Sequence, residues 1–237
     1  MSLPKIEYPI NEITIPSLKK KMKFRPMLVK EEKILLMAKS SEDDTDIFNA
    51  VLQVVNNCAV EDSFDTDKLA IFDIEYIFLK IRAFSVGETT EVSYRDIDDE
   101  KVYDFEIDLT KIEVDFANAV PETIKISDTS GFTLRYPPAK LYADKEFLSL
   151  EPNKVFDNLV LACIDKIFDG EQVYQSSLYK KEELAEFVEG LPIKAYDEIR
   201  NFFTHVPSMK HEIKYTNKNG LERVILLRNL SDFFILR

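Results

Sequence analysis

The residue types that most often carry catalysis or bind metals are sparse in this sequence. Its 237 residues include two histidines, His205 and His211, and two cysteines, Cys58 and Cys163. Neither histidine belongs to an H-E-x-x-H motif and the cysteines form no C-x-x-C pair, so a zinc site is not expected. Five glycines leave no phosphate-binding loop of the G-x-G-x-x-G or G-x-x-x-x-G-K-[ST] type. We therefore expect no catalytic residue, no metal and no cofactor.

Two acidic clusters are the other candidates for chemistry. Residues 42–46 lack the glycine and the ligand spacing of a calcium-binding EF-hand loop. Asp96, Asp98, Asp99 and Glu100 lie between two predicted strands, where we expect a solvated turn. Paired carboxylates can act as general acid and base, but random pairs are frequent in an acidic chain. A small enzyme, such as a hydrolase with an unrecognised carboxylate or Cys/His site, is therefore the alternative to a non-enzymatic protein.

The charge of the chain is unevenly distributed. The formal net charge is -12, which argues against nucleic acid as a partner because lysine and arginine drive phosphate binding. Nine basic and four acidic residues give residues 1–40 a net charge of +5, whereas seven basic and 23 acidic residues give residues 41–128 a net charge of -16. The acidic middle is either a solvated face or a surface complementary to a basic partner.

Targeting signals are not evident in the sequence. The first residues carry charges and prolines rather than an apolar run, and no uncharged stretch approaches the ~20 residues of a membrane span. Two cysteines are too few for a disulfide scaffold and favour a reducing compartment. We expect no stable membrane insertion and a location in a cytoplasm.

Residues 1–27 are predicted to form an extended basic arm. Four prolines interrupt any helix, and apolar residues alternate as they do in strands. Five basic residues then follow within seven positions, from Lys19 to Arg25. The arm either packs back on its own domain or adds a strand to a neighbouring subunit. The sequence leaves both alternatives open.

Residues 28–88 are predicted to form a helical part with three helices, at about 28–39, 46–58 and 67–85. The third is apolar on two faces, which are separated by two charged stripes, one with Asp73 and Lys80 and the other with Glu75 and Arg82. A helix that is apolar on two faces must be covered on two sides. We therefore expect it to be a central element of the fold.

Residues 89–237 are predicted to form an α+β part. Segments between 89 and 136 alternate apolar with polar residues, as in an antiparallel sheet with one solvated face. Residues 140–149, 154–168, 179–189 and 193–204 have helical patterns, and Asn219-Gly220 predicts a final β-hairpin. The predicted fold class is α+β, with an N-terminal helical part, a middle antiparallel sheet, C-terminal helices and a final β-hairpin. The helical part and the α+β part could also form one compact unit.

Three segments resemble a known family. They are KKMKFRPMLVKEEKILLMA at residues 20–38, DKLAIFDIEYIFLKIRAFSVGE at 67–88 and NLSDFF at 229–234, with NNCAVED between the first two. In this order they resemble the T4-type bacteriophage baseplate proteins, known as baseplate hub subunits or hub assembly factors. None of the three segments is a catalytic motif.

The resemblance implies a non-enzymatic role in building the central hub of a contractile tail. Its expected partners are other phage baseplate hub proteins, with self-association as a further alternative. The protein would act in the host cytoplasm during assembly, either as a chaperone that leaves or as a subunit that stays in the virion tail baseplate. The residues predicted to bind partners lie in the arm, the first helix and the C-terminal segment: Lys19, Lys20, Lys21, Lys23, Arg25, Glu31, Glu32, Phe233 and Phe234.

Overall fold

A computed structural model describes residues 7–41 and 43–233 of the chain. These residues divide into two compact units. Unit 1 contains the described residues up to Asp115 and those from Ser208 onward, and unit 2 contains Phe116–Pro207. The predicted division into residues 1–27, 28–88 and 89–237 stays a prediction.

Unit 1 begins with a β-hairpin and three helices. These elements are β1 (Asn11–Ile15), β2 (Lys20–Phe24), α1 (Val29–Lys39), α2 (Asp44–Cys58) and α3 (Ile71–Ser85). The three helices fall within a few residues of the ranges predicted from sequence. Asp43 caps α2 by accepting a hydrogen bond from the Thr45 N–H at 2.8 Å, which satisfies one of the free donors at the helix start.

Helix α3 is the centre of unit 1. Its apolar side chains on both sides are buried, and Ile74, Ile77, Leu79 and Ile81 have no exposed surface. The prediction of a central helix is therefore confirmed. Because α3 is covered on two sides, any polar group on it must find a partner inside the fold or at its rim.

The remaining strands of unit 1 form small antiparallel sheets. These strands are β3 (Thr89–Arg95), β4 (Val102–Asp108), β5 (Glu113–Asp115), β10 (Ser208–Thr216) and β11 (Glu222–Leu227), followed by the short helix α8 (Leu230–Phe233). Strand β3 pairs with β4, and β10 lies between β11 and β5. Asp115 is paired directly with Ser208, so the chain leaves and re-enters unit 1 at neighbouring positions.

Unit 2 combines a four-stranded antiparallel sheet with helices. Its elements are β6 (Thr123–Lys125), β7 (Ser130–Leu134), α4 (Lys145–Leu148), α5 (Pro152–Cys163), β8 (Ile164–Asp169), β9 (Gln172–Gln175), α6 (Lys181–Glu189) and α7 (Ile193–Thr204). The strands are ordered β6-β7-β8-β9. Phe132 and Leu134 of the sheet form the core with Val160, Ile199 and Phe202 of the helices.

Residues 154–168, which the sequence predicts to be helical, are only partly helical in the structure. Helix α5 ends at Cys163, and the residues from Ile164 onward form β8, so the helical prediction is wrong for 164–168. The reason is that residues 164–169 pair with both β7 and β9, and Gly170, whose φ of +58° favours glycine, forms the turn into β9. The described strands pair only in antiparallel fashion, and the α+β fold class is confirmed.

Candidate protein–protein interface

The β1–β2 hairpin separates apolar from basic side chains. Strand β1 buries Ile13 and Ile15, and β2 buries Met22 and Phe24, because successive residues of a strand point to opposite faces. The described residues from 7 to 27 therefore include a hairpin that packs against its own unit. This arrangement corresponds to the first of the two alternatives for the arm, and residues 1–6 lie outside the described residues.

The turn of this hairpin is attached to the central helix. Ser17 donates two hydrogen bonds to the carboxylate of Asp73 on α3, from its backbone N–H at 2.9 Å and from its hydroxyl at 2.5 Å. Asp73 also accepts the N–H of Ala70 at 3.2 Å. The Asp73 side chain is fully buried, and this burial raises its pKa although the hydrogen bonds from Ser17 and Ala70 oppose the rise. These contacts fix the end of the hairpin that carries Lys19.

The base of the hairpin is held by a buried ion pair. Arg25 contacts both carboxylate oxygens of Glu31, at 2.9 and 3.2 Å, and donates to the carbonyl oxygen of Asn57 at 2.7 Å. Glu31 has no exposed side-chain surface, and it also accepts the N–H of Leu28 at 2.9 Å. Burial tends to raise the pKa of Glu31, but the hydrogen bonds from Arg25 and Leu28 outweigh it and the pKa is lowered. Arg25 and Glu31 thus join β2, α1 and the end of α2.

The predicted partner-binding residues fall into two groups. Those with exposed side chains are Lys19, Lys20, Lys21, Lys23 and Glu32. We call the four lysines of this group the basic hairpin surface. Arg25 and Glu31 form the internal ion pair, Phe233 is fully buried in unit 1, and Phe234 lies outside the described residues.

The basic hairpin surface is largely uncompensated by acidic side chains among the described residues. Lys21 forms an ion pair with Glu12 at 3.4 Å, and both side chains are more than half exposed. Such exposed pairs contribute little to stability. The lysines therefore present positive charge to solvent from a backbone that is fixed at both ends.

The acidic turn between β3 and β4 is only partly the solvated turn that the sequence predicted, because Asp98 and Glu100 are exposed but Asp96 is buried. Asp96 is 1% exposed and accepts the Tyr215 hydroxyl, a hydrogen bond that lowers the pKa of Asp96 to about 2. Asp98 accepts the side-chain amides of Asn217 and Asn219 at 3.0 and 2.9 Å. The carboxylates thus attach the β3–β4 hairpin to the C-terminal hairpin within unit 1.

The described residues offer few groups suited to catalysis. The thiols of Cys58 and Cys163 are buried, and desolvation raises their pKa to about 11 and about 12, so neither is a ready nucleophile at neutral pH. No group of three His, Cys, Asp or Glu side chains among residues 7–41 and 43–233 could hold a metal ion. The exposed basic hairpin surface is the feature that best fits a binding role.

A comparison with protein families connects this architecture to a known class. The family model described as T4 bacteriophage base plate protein matches residues 7–235. The chain belongs to this family. Comparisons with curated proteins and with solved structures gave no match.

Membership of the baseplate family defines the broad role of the chain. It is a structural protein of a phage baseplate, and its expected contacts are with other baseplate proteins. In the part of the chain that the structure describes, no helix has both the length and the apolarity needed to cross a membrane.

Sequence reasoning missed one functional element, the attachment of the hairpin to α3. Ser17 and Asp73 are 56 positions apart, and neither belongs to a recognisable motif. The available signal was Asp73 itself, a charged residue on a helix that is otherwise apolar on two faces. Its partner could not be identified without the fold.

Proposed function

We propose that this baseplate protein acts in assembly of the baseplate hub, either as a chaperone or as a structural subunit. It does so without enzymatic activity, by binding other hub proteins in the host cytoplasm during assembly. The observation that carries this proposal is the basic hairpin surface, four exposed lysines on a hairpin fixed by Ser17–Asp73 and Arg25–Glu31 contacts. A backbone that is fixed before binding loses little backbone entropy on association.

The lysines are proposed to dock on an acidic surface of another hub protein. Exposed charges accelerate association more than they raise affinity, and salt screens them with a Debye length of about 8 Å at physiological ionic strength. Reversing Lys19, Lys20 and Lys21 to glutamate should therefore slow association at low salt while leaving the melting temperature nearly unchanged. Lys39, at the exposed end of α1, offers a control outside the hairpin when it is also changed to glutamate.

The test mixes purified protein with the other hub proteins and follows complex formation by size-exclusion chromatography and stopped-flow mixing. Equal association rates of the wild-type and triple-glutamate proteins at low and high salt would show that the hairpin is not part of the docking surface. Absence of any complex with hub proteins would overturn the hub assignment.

Mass spectrometry of finished particles and of assembly intermediates separates the two modes of action. A chaperone is present in intermediates and absent from particles, whereas a structural subunit is present in both. Absence from both would contradict a role in hub assembly.

A further inference from the structure

The outer face of the β3–β4 hairpin exposes three carboxylates. Glu91 of β3 lies directly opposite Glu106 of β4, and Asp104 lies two positions from Glu106 on the same face. Carboxylates directly opposite each other on a sheet repel and are destabilising. None of the three forms an ion pair with another residue of the described ranges 7–41 and 43–233. We call Glu91, Asp104 and Glu106 the acidic hairpin face.

The other polar groups on this side of the hairpin do not neutralise it. The Ser93 hydroxyl donates to one oxygen of Asp104 at 2.6 Å, and Asp108 pairs with Lys111 at 2.9 Å. Among the side chains of β3 and β4 on this side, Arg95 is the one cation, and it lies at the end nearest the turn. The acidic hairpin face and Arg95 together carry a net charge of -2.

The acidic hairpin face is held in place from behind. On the inner side of the hairpin, Val92 and Ile107 are buried. The rings of Tyr103 and Phe105 pack against Tyr215 of β10, with centroid distances of 4.8 and 5.3 Å. The three carboxylates are therefore presented to solvent from a backbone that needs little ordering before it binds a partner.

The basic hairpin surface of the same chain has a matching arrangement of opposite charge. Lys21 and Lys23 are alternate residues on the outer face of β2, as Asp104 and Glu106 are on the outer face of β4. Alternate residues of a strand are about 7 Å apart, so the two rows of charge have the same spacing. Even with Glu12 included, the four lysines leave this surface with a net charge of +3.

An exposed apolar side chain follows each row of charge toward the tip of its hairpin. Leu18 is 56% exposed in the β1–β2 turn, and Val102 is 57% exposed at the start of β4. From base to tip, both hairpins thus present charge, charge and apolar surface in the same order. Both outer faces point away from the core of unit 1, and no ion pair joins them in the part of the chain that the structure describes. Contact between them therefore requires two copies of the chain.

We propose that the acidic hairpin face of one copy binds the basic hairpin surface of a second copy, with Asp104 and Glu106 against the row of Lys21 and Lys23. This contact is heterologous, so each copy keeps one free surface of each kind and successive copies form a ring or an open chain. Exposed ion pairs are individually weak, so the self-association is weak and sensitive to salt. The inference goes beyond the proposed function, and a second copy competes with a hub protein for the same lysines.

Sedimentation velocity of the full-length protein tests the contact. At low salt the weight-average sedimentation coefficient should rise as the protein concentration increases to about 1 mM, a range that detects weak association. In about 1 M salt, where the Debye length is about 3 Å, the rise should be lost. Reversal of either face, by Lys21→Glu with Lys23→Glu or by Asp104→Lys with Glu106→Lys, should weaken association at low salt at least about tenfold, because two attractions become repulsions.

Mixing the two reversal variants is the decisive experiment. Neither variant associates well with itself, but an equimolar mixture should associate, because each face then meets one of opposite charge. A chain that carries all four reversals should also recover self-association. Matched controls reverse two exposed charges of unit 2 and should associate like the wild type; they are Lys140→Glu with Lys194→Glu, and Glu171→Lys with Glu189→Lys. Thermal melts verify that every variant is folded.

Four results would overturn the proposal. They are a wild-type protein that stays monomeric at low salt, equal losses in the reversal and control variants, no association in the mixture, and a monomer whose acidic hairpin face binds a basic hub protein instead. These results leave the proposed function standing, because hub binding is measured at low protein concentration with the triple-glutamate variant. Conversely, self-association with the expected charge dependence, together with no complex with hub proteins, would refute only the hub assignment.

Discussion

Glu75 makes the stability of unit 1 depend on pH. Its carboxylate on α3 is mostly buried and accepts the Leu230 N–H at 3.3 Å. Desolvation raises the pKa of Glu75 to about 7, against an ordinary value of 4.5; the Leu230 hydrogen bond opposes the rise and the nearby Asp232 charge adds to it. The folded protein therefore favours the neutral form.

The sign of the effect follows from the raised pKa. Well below pH 4.5 Glu75 is neutral in both the folded and the unfolded chain, so it does not change the free energy of unfolding. As the pH rises toward 7, only the unfolded chain loses the proton, and stability falls by up to about 1.4 kcal/mol per pH unit. The shift from 4.5 to about 7 corresponds to a loss of about 1 kcal/mol at pH 5 and about 3 kcal/mol at pH 8.

Glu75→Gln removes this loss, since glutamine stays neutral and its side-chain oxygen can accept the Leu230 N–H. We expect the variant to be more stable than the wild type by about 3 kcal/mol at pH 8 and by about 1 kcal/mol at pH 5. Urea unfolding at the two pH values measures both differences. Glu32→Gln, at an exposed position of α1, is the matched control and should show no such dependence. Equal stabilisation at both pH values, or destabilisation at pH 8, would refute the reasoning.

Four other changes have defined expected effects on folding or stability, each measured by urea unfolding unless stated. Arg25→Ala leaves the buried Glu31 carboxylate unpaired and should cost about 3–5 kcal/mol; a cost below about 1 kcal/mol would contradict the internal role of the pair. Ser17→Ala removes a hydrogen bond to a carboxylate and should cost about 1.5–3 kcal/mol. Gly131→Ala places a Cβ atom 2.3 Å from a backbone oxygen of β6 and should destabilise unit 2 by at least about 1–3 kcal/mol. Replacing residues 116–207 by a short Gly/Ser linker should leave unit 1 folded, as checked by circular dichroism, because Asp115 and Ser208 are paired neighbours.

The sequence predicted secondary structure well where one periodicity extends over a long segment. Helix α3 and the alternating strands β3 and β4 were found at the expected places because their patterns have only one interpretation. The helical prediction failed for residues 164–168 because Ile164, Ile167 and Phe168 have helical spacing and continue directly from α5, although the segment forms a strand. Pairing with β7 and β9 decides the outcome, and those contacts are not visible in the local pattern.

The candidate interface was predicted only in part, because sequence shows charge but not burial. The run from Lys19 to Arg25 was recognised as basic, yet the structure turns one of its charges inward to Glu31. The acidic turn at Asp96 was expected to be solvated, and instead it contacts Tyr215, 119 positions away. In both cases a charged group was predicted to be solvated, and its partner lies on another element of the fold, Glu31 on α1 for Arg25 and Tyr215 on β10 for Asp96.

The basic run therefore carries two kinds of positive charge with different chemistry. Arg25 has a planar guanidinium that binds both oxygens of a buried carboxylate, a geometry that a lysine ammonium cannot reproduce. Lys19, Lys20, Lys21 and Lys23 carry compact, strongly hydrated charges and remain in solvent. Loss of Arg25 should thus reduce stability, whereas reversal of the lysines should reduce the rate of partner association and leave stability nearly unchanged. Arg25 is thus used to stabilise the fold, and the four lysines remain available to bind another molecule.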